Sequence, residues 1–338
     1  MTSWIRVRAP VRVLDAGGWS DTWFARRGTV CHLAVDEGSE VWVRRWRTSG
    51  SNMTATADLH VSGFGDRYRF ALDKPPGRHP LLEAVLRRWA SPGWHIEVSV
   101  ASSVPPGSSL GTSASVAVAM IAALRALAGD LIDPASLARA AHEVETVDLE
   151  LQSGVQDQIA AAYGGSNLIL MNAYPEVKVQ ALELTPATWE ALGRRILTVY
   201  LGSPHRSSAV HEAVIARLSG GDRDTLLAPL RAAATDAATA LVSGRLDAYG
   251  DAMITNTAAQ AALHPALINP LAREVIAVAK KHGAVGWKVN GAGGEGGTVT
   301  LVGPDDPSAL VNALRANARL TVLPLRPARK GARIVDQA

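Results

Sequence analysis

Four stretches of this 338-residue chain bring together residue types that could do chemistry. The first, Val104-Pro-Pro-Gly-Ser-Ser-Leu-Gly-Thr-Ser-Ala-Ser, runs directly into an apolar segment ending at Leu124. Ser and Thr before an apolar run can cap a helix. Gly107 and Gly111 let the backbone turn and let a ligand approach without meeting a Cβ. Free N–H groups on such a loop, at a helix N-terminus, suit a phosphate. No Lys-Ser or Lys-Thr follows the second glycine, so this is not the P-loop pattern. Taken alone, the loop reads first as a capped core helix.

The second stretch is Arg8-Ala-Pro-Val-Arg-Val-Leu-Asp-Ala-Gly-Gly-Trp-Ser-Asp21. A strand carrying Arg12 runs into a glycine pair and then Trp19, Ser20 and Asp21. A carboxylate just after such a turn can accept bonds from neighbouring hydroxyls, as a sugar requires, and an indole offers an apolar wall. The plainer readings are an ion pair for Arg12 and a turn residue for Asp21. In the third stretch, His142 to Gln158, most carboxylates fit a solvated helix face. Asp157 does not. It stands at the start of an apolar helix, where the macrodipole favours its charged form and an acid can serve as a base or orient a hydroxyl. The fourth, Lys288-Val-Asn-Gly-Ala-Gly-Gly-Glu-Gly-Gly-Thr298, is richer in glycine than a hairpin needs, which points to close backbone approach.

The rest of the chain must position these groups. Hydrophobic residues make up 47% and charged residues 19%, an ordinary globular composition, and the length suits two domains around a cleft. The formal charge of +3 is small, and the scattered basic residues argue against a nucleic-acid partner. Cys31, the only cysteine, cannot form an internal disulfide or a Cys-based zinc site and fits a reducing compartment as a buried strand residue. The N-terminus lacks a signal-type apolar core, and the Ala114–Leu124 helix is too short to span a bilayer, so the expectation is a cytoplasmic protein with no membrane partner.

Short β-branched runs fill the first third: strands at Val11–Leu14, Val30–Val35, Glu40–Arg47, Tyr68–Leu72 and His95–Ala101, with a helix at Pro80–Ala90. Helices follow at Ser113–Ala128, Pro134–Val147 and Val155–Ala161, then strands at Asn167–Met171, Val177–Leu184 and Ile196–Leu201. Ala-rich helices cover Ser207–Leu263. The end alternates: helix Pro270–His282, strands Val285–Val289 and Thr298–Val302, helix Pro307–Ala318, strand Leu320–Pro324. This pattern predicts an α+β sandwich after a boundary near Thr185–Gly193, and the tail after Pro327 carries no signal.

Together and in order, the four stretches resemble the GHMP small-molecule kinases, named for galactokinase, homoserine, mevalonate and phosphomevalonate members. PPGSSLGTSAS is similar to their Pro-x-x-x-Gly-Leu-Gly-Ser-Ser-Ala phosphate loop, with Thr112 in place of the first Ser. KVNGAGGEGG is similar to their glycine-rich third motif, with Glu295 for a usual Gly and Asn290 for a usual Ser or Thr. Arg8–Asp21 resembles the sugar motif of heptose 7-phosphate kinases and L-fucokinases. Gly154–Gly165 and Leu201–Ser208 resemble heptose kinase segments, whereas Trp19-Ser20-Asp21 leans to the fucokinase form.

The resemblance implies an α+β two-domain fold: a ribosomal-S5-like α/β domain over 1–188 and a ferredoxin-like α+β sandwich over 189–338. It implies ATP-dependent phosphorylation of a sugar at its anomeric hydroxyl, first a heptose 7-phosphate, alternatively free L-fucose or a related aldose. A non-catalytic sugar sensor or a decarboxylase relative is the weaker reading, because Asp157 and Glu145 are both present and Asp21 sits in a sugar-type motif. Asp157 would be the catalytic carboxylate and Arg12 its partner, also stabilising the transferring phosphoryl group. Pro106, Gly107, Ser108, Ser109, Leu110, Gly111, Thr112 and Ser113 would cradle ATP, and Ser113 and Glu145 would hold Mg²⁺. Gly18, Trp19, Ser20, Asp21, Gly291 and Gly293 would contact the sugar, with Arg26, Arg27, Arg78 and His79 as cations for a phosphorylated one. The partners implied are a sugar or sugar phosphate and ATP; a homodimer is left open.

Overall fold

The computed structural model describes residues 3–47, 55–90, 93–203 and 209–337. Residues 204–208, which complete the Leu201–Ser208 segment and open the expected run of helices, lie outside these. Long alternating strands organise the first part of the chain. In β1 (Ser3–Ala16) and β2 (Gly28–Arg47), Val7, Val41 and Val43 are buried while Arg8, Trp42 and Arg44 are exposed, the signature of a sheet with one wet face.

The first half of β2 pairs with β6 (Ser166–Ala173), and its second half pairs with β5 (Trp94–Ser102). Beyond β5 come β3 (Thr56–Val61), in parallel, and β4 (Asp66–Ala71); β7 (Glu176–Ala181) extends β6. Strand β3 was not anticipated. The two strands expected at Val30–Val35 and Glu40–Arg47 are one, because Gly38 is no turn. A Cβ there would fall 2.0 Å from the Ala9 carbonyl, so the glycine lets β2 pass close to β1. The tail also departs from expectation: it forms β12 (Arg333–Gln337), antiparallel to β1.

Helix α2 (Thr112–Ala128) braces this sheet. Every residue from Ala114 to Leu124 is buried, and burying each large aliphatic side chain contributes about 1.5–3 kcal/mol. Around it pack α1 (Pro80–Trp89), α3 (Pro134–Glu143) and α4 (Gln156–Tyr163). Helix α3 ends earlier than expected, and Val144–Asp148 continue as a wide π turn, a form frequent at functional sites.

The stretch around the expected boundary forms α5 (Pro186–Arg195), started by Thr185, whose hydroxyl accepts the Thr188 N–H. A second, antiparallel sheet contains β8 (Ile196–Tyr200), β9 (Gly286–Val289), β10 (Thr298–Val302) and β11 (Thr321–Leu323) in the order β11-β8-β10-β9. Taken in chain order this is the 4-1-3-2 arrangement of a ferredoxin-like sandwich. Helices α9 (Pro270–Lys281) and α10 (Ser308–Arg315) cover it through Val275, Ala279, Leu310 and Leu314.

Helices α6 (Ala209–Leu218), α7 (Arg223–Val242) and α8 (Leu246–Leu263) complete the fold. Ala234, Leu241, Tyr249 and Met253 of α7 and α8 share a core with Val11, Val13 and Leu33 of the first sheet. That shared core ties the two sheets together, so β1, the starts of α2 and α4, and the β9–β10 loop meet at one place.

Candidate active site

Arg12 is the hub of that meeting point. Only 4% exposed, it donates from Nε to Asp157 Oδ1 at 2.8 Å and from Nη1 to the Ser109 carbonyl at 2.5 Å. Its own N–H donates to the Leu110 carbonyl at 3.0 Å. Burial works against its charge, yet Asp157 and Asp15 outweigh that cost and its pKa is raised. One arginine thus joins strand β1, the phosphate-type loop and the start of α4.

The loop reaches Asp157 because residue 111 has no side chain. A Cβ on Gly111, at φ +76°, would lie 3.0 Å from Asp157 Cγ. Gly111 is also the N-cap of α2, and no side chain caps that helix. The expected Ser/Thr cap is therefore absent, which leaves first-turn N–H groups without a side-chain acceptor. The buried hydroxyls of Ser108 and Thr112 also lack a protein partner. Ser109 adopts φ +61° where the family pattern has its first glycine, a departure beyond Thr112. A cavity of about 330 Å³ is lined by Gly107–Ala114, Arg12, Glu145, Asp157, Gln158 and Gly291.

Glu145 projects from the π turn into this cavity, 8% exposed, and accepts from Ser153 Oγ at 2.5 Å and Gln158 Nε2 at 2.7 Å. Burial pushes its carboxyl up to about 7 against those two bonds. Among the described residues no group of three His, Cys, Asp or Glu could hold a metal. Ser113 and Glu145 nevertheless line one cavity. A hydroxyl and a carboxylate fit a Mg²⁺ ion that takes its other oxygens from phosphate and water.

On the other side of Asp157 opens a larger cavity, about 600 Å³, lined by Arg12, Trp19, Asp21, Gln156, Asp157, His211, Glu212 and Gly291 among others. Asp21, 2% exposed, accepts the N–H groups of Val155 and Gln156 at 3.1 Å, so it fastens the first turn of the helix bearing Asp157. Gly154 permits this contact, since a Cβ there would sit 2.3 Å from Asp21 Oδ2. Burial, and next the charge of Asp157, push the Asp21 carboxyl up to about 6 despite those bonds. Trp19 Nε1 donates to the Ala292 carbonyl at 3.1 Å and pins the third-motif loop to the cavity wall.

Three expected sugar contacts are used differently. The Ser20 hydroxyl is fully buried and bonds Gly17 and Thr29 backbone. Gly18 packs on Asp15, where a Cβ would come within 3.0 Å of Oδ2. Gly293 packs on Leu267, whose carbonyl would lie 2.4 Å from a Cβ. Gly291 does line the cavity, but its N–H already donates to Asp15 at 3.1 Å.

The four basic residues proposed for a second phosphate also lie elsewhere. Arg78 and His79 line a different cavity, about 320 Å³, together with Phe64, Pro106 and Thr112 on the outer side of the loop. Arg27 is exposed and pairs with Asp224 at 3.3 Å, and Arg26 is exposed next to it. Of the third-motif departures, Asn290 accepts the Leu14 N–H and donates to Thr298 and Thr300, knitting β1 to the second sheet. Glu295 is exposed. Sequence reasoning missed His211, Glu212, Gln152 and Gln156. The first two lie on α6, which looks like any Ala-rich helix until the fold turns it toward Trp19, 5.3 Å from the His211 ring.

Residues 79–165 match the GHMP kinases N terminal domain model. The chain carries that domain within a GHMP kinase fold. It is 26% identical over 317 residues to a bifunctional fucokinase/GDP-fucose pyrophosphorylase of Arabidopsis thaliana, covering 88% of this chain and 30% of that protein. It is 27% identical over 218 residues to a D-glycero-alpha-D-manno-heptose 7-phosphate kinase of Campylobacter jejuni, covering 63% of each. The crystal structure of a D-glycero-D-manno-heptose 1-phosphate kinase from Bacteroides thetaiotaomicron superposes over 99% of both chains, with a TM-score of 0.73 at 20% identity.

Proposed function

We propose that this protein transfers the γ-phosphoryl group of ATP to the anomeric hydroxyl of a sugar. The observation that carries the reading is the position of Asp157, which lines both the phosphate-loop cavity and the Asp21 cavity. A hydroxyl held by Asp21 would meet Asp157 as acceptor of its proton. Arg12, bonded to Asp157, would face charge building on the transferring group. Backbone N–H groups of Gly107–Ser113 would hold the ATP phosphates, and the cavity beside Phe64, Pro80 and Leu82 would take the base. Ser113 and Glu145 would hold Mg²⁺, which when bound offsets phosphate charge.

Two acceptors compete. The likeness to the Campylobacter enzyme supports a heptose 7-phosphate, giving a 1,7-bisphosphate. The cavity favours the second, a free aldose such as L-fucose giving its 1-phosphate. Among the described residues its only guanidinium is Arg12, which is paired to Asp157, while Asp21 and Glu212 add negative charge. Among the described residues a second phosphate would meet the carboxylates of Asp21 and Glu212 and the imidazole of His211 there.

ADP release with Mg-ATP across heptose 7-phosphate, free heptose, L-fucose, galactose and arabinose tests the proposal, with Asp157→Asn as blank. Turnover of a free aldose supports the reading in its second form, and turnover of the phosphorylated heptose alone supports the first. No ADP above the blank with any sugar overturns it.

A further inference from the structure

We infer that Lys288 is a positioning residue: by pairing with the competing carboxylate Asp15 in the buried seam between the two sheets, it leaves Arg12 directed at Asp157. The inference rests on the kinase reading for its kinetic consequences, but its geometric content stands apart from it. Asp15 on β1 is fully buried, and Lys288 on β9 is 1% exposed. Neither lines the cavities on either side of Asp157.

Four charges alternate along a short path. Lys288 Nζ lies 3.7 Å from Asp15 Oδ1, Asp15 Oδ1 lies 3.9 Å from Arg12 Nη1, and Arg12 Nε lies 2.8 Å from Asp157 Oδ1. Arg12 therefore stands between two carboxylates that compete for one guanidinium. Its closer contact is with Asp157, the more solvent-exposed of the two. Burial alone would give the opposite preference, because an unpaired charge costs most where water is excluded.

Lys288 removes that conflict. It supplies Asp15 with a countercharge of its own, and its ammonium is further held by Gln260 Oε1 at 3.0 Å and by the Val289 carbonyl. Both Asp15 oxygens also accept the Gly291 N–H at 3.1 Å. With Asp15 satisfied from the second sheet, Arg12 is left to Asp157 and to the Ser109 carbonyl. Removing Lys288 alone should draw the guanidinium back toward Asp15. Removing both partners should release it again.

The test uses the full-length protein as Lys288→Met, Asp15→Asn and the double variant. Crystal structures read the geometry without reference to turnover. In Lys288→Met the Arg12 guanidinium should leave Asp157 for Asp15, and in the double variant it should return. Arg12 unmoved in Lys288→Met overturns the inference. With the acceptor found by the sugar panel, Lys288→Met should lower kcat by at least about 30-fold, with KM for ATP within about twofold. The double variant should recover most of that loss. A purely structural pair would instead lower melting temperature and leave kcat of the folded fraction intact, and that outcome overturns the inference. If Lys288→Met does not fold, Lys288→Gln, which removes the charge and keeps a hydrogen-bonding group, carries the test: Arg12 moved to Asp15 with kcat lowered supports the inference, and Arg12 still on Asp157 overturns it. If the parent enzyme turns over no sugar, the kinase reading falls and the Arg12 geometry decides this inference by itself.

Discussion

The cavities on either side of Asp157 are built in opposite ways. The phosphate-loop side is made largely of backbone: uncapped N–H groups, Gly107 and Gly111 at positive φ, and a few hydroxyls. The Asp21 side is made of side chains from distant parts of the chain: Trp19 and Asp21 after β1, Gln156 on α4, His211 and Glu212 on α6. A site made of backbone binds what every donor shares, a polyphosphate, and tolerates little change in chain geometry. A site made of side chains can change its choice of ligand by exchanging residues while the fold stays. On the proposed reading, the difference explains why the loop points to phosphoryl transfer while the other cavity leaves the acceptor to be found by assay.

The largest effect should come where the two halves meet. Asp157→Asn removes a charge at constant shape, and turnover should fall by about 10³-fold or more in a variant that still folds, with a lowered melting temperature because Arg12 loses its nearest countercharge. ADP release and a thermal melt check this together, and an active folded variant would remove Asp157 from the chemistry. Next comes Gly111→Ala. Its Cβ would press on Asp157 Cγ at 3.0 Å, and its φ of +76° is one that alanine adopts at a cost of about 1–2 kcal/mol. Turnover should drop by about tenfold or more, and KM for ATP should rise more than KM for the sugar; equal changes in both would blur the distinction between the halves.

A smaller effect is expected from Glu145→Gln, which should raise the Mg²⁺ concentration for half-maximal rate by about tenfold, on the scale of losing one hard ligand charge. A magnesium titration that superposes on the parent would take Glu145 out of the metal site. The smallest concerns Asp21. Its carboxyl sits at about 6 in the fold against an ordinary 3.8. Between those values the folded protein holds a proton that the unfolded chain has released, so this group makes stability fall as pH rises through that window. Asp21→Asn, which can still accept the Val155 and Gln156 N–H groups, should lack that loss. Its melting temperature relative to the parent should climb from about pH 4 to about pH 6 and level off above; a constant difference would contradict the assigned burial cost.

Much of this was legible before any coordinates. Ala114–Leu124 could only be a buried helix, because its apolar character runs all round. The order β8, β9, β10, α10, β11 follows from alternating runs and punctuation in the last part of the chain. The pairing of Arg12 with Asp157 could be expected from the family pattern, although 145 residues separate the two. Local reading failed where a residue answers to something remote. Gly38 looks like a turn and is a close crossing of strands. The tail looks featureless and becomes β12 because β1 offers an open edge. Around Thr185–Gly193, where the local pattern assigns no element, the chain forms α5.

The sequence by itself determined the glycine-rich loop before α2, the buried helix it starts and the kinds of group that could do chemistry. Glycine spacing and apolar periodicity act within a few residues, so a local pattern carries them. Only the tertiary structure decided that α6 would wall the Asp21-side cavity, that Ser20 would bond backbone while Gly18 and Gly293 allow close packing, and that Lys288 would reach across to Asp15. Those outcomes depend on distance and burial between segments far apart in the chain. Burial is also what makes an unpaired charge costly enough for its partner to be fixed by the fold.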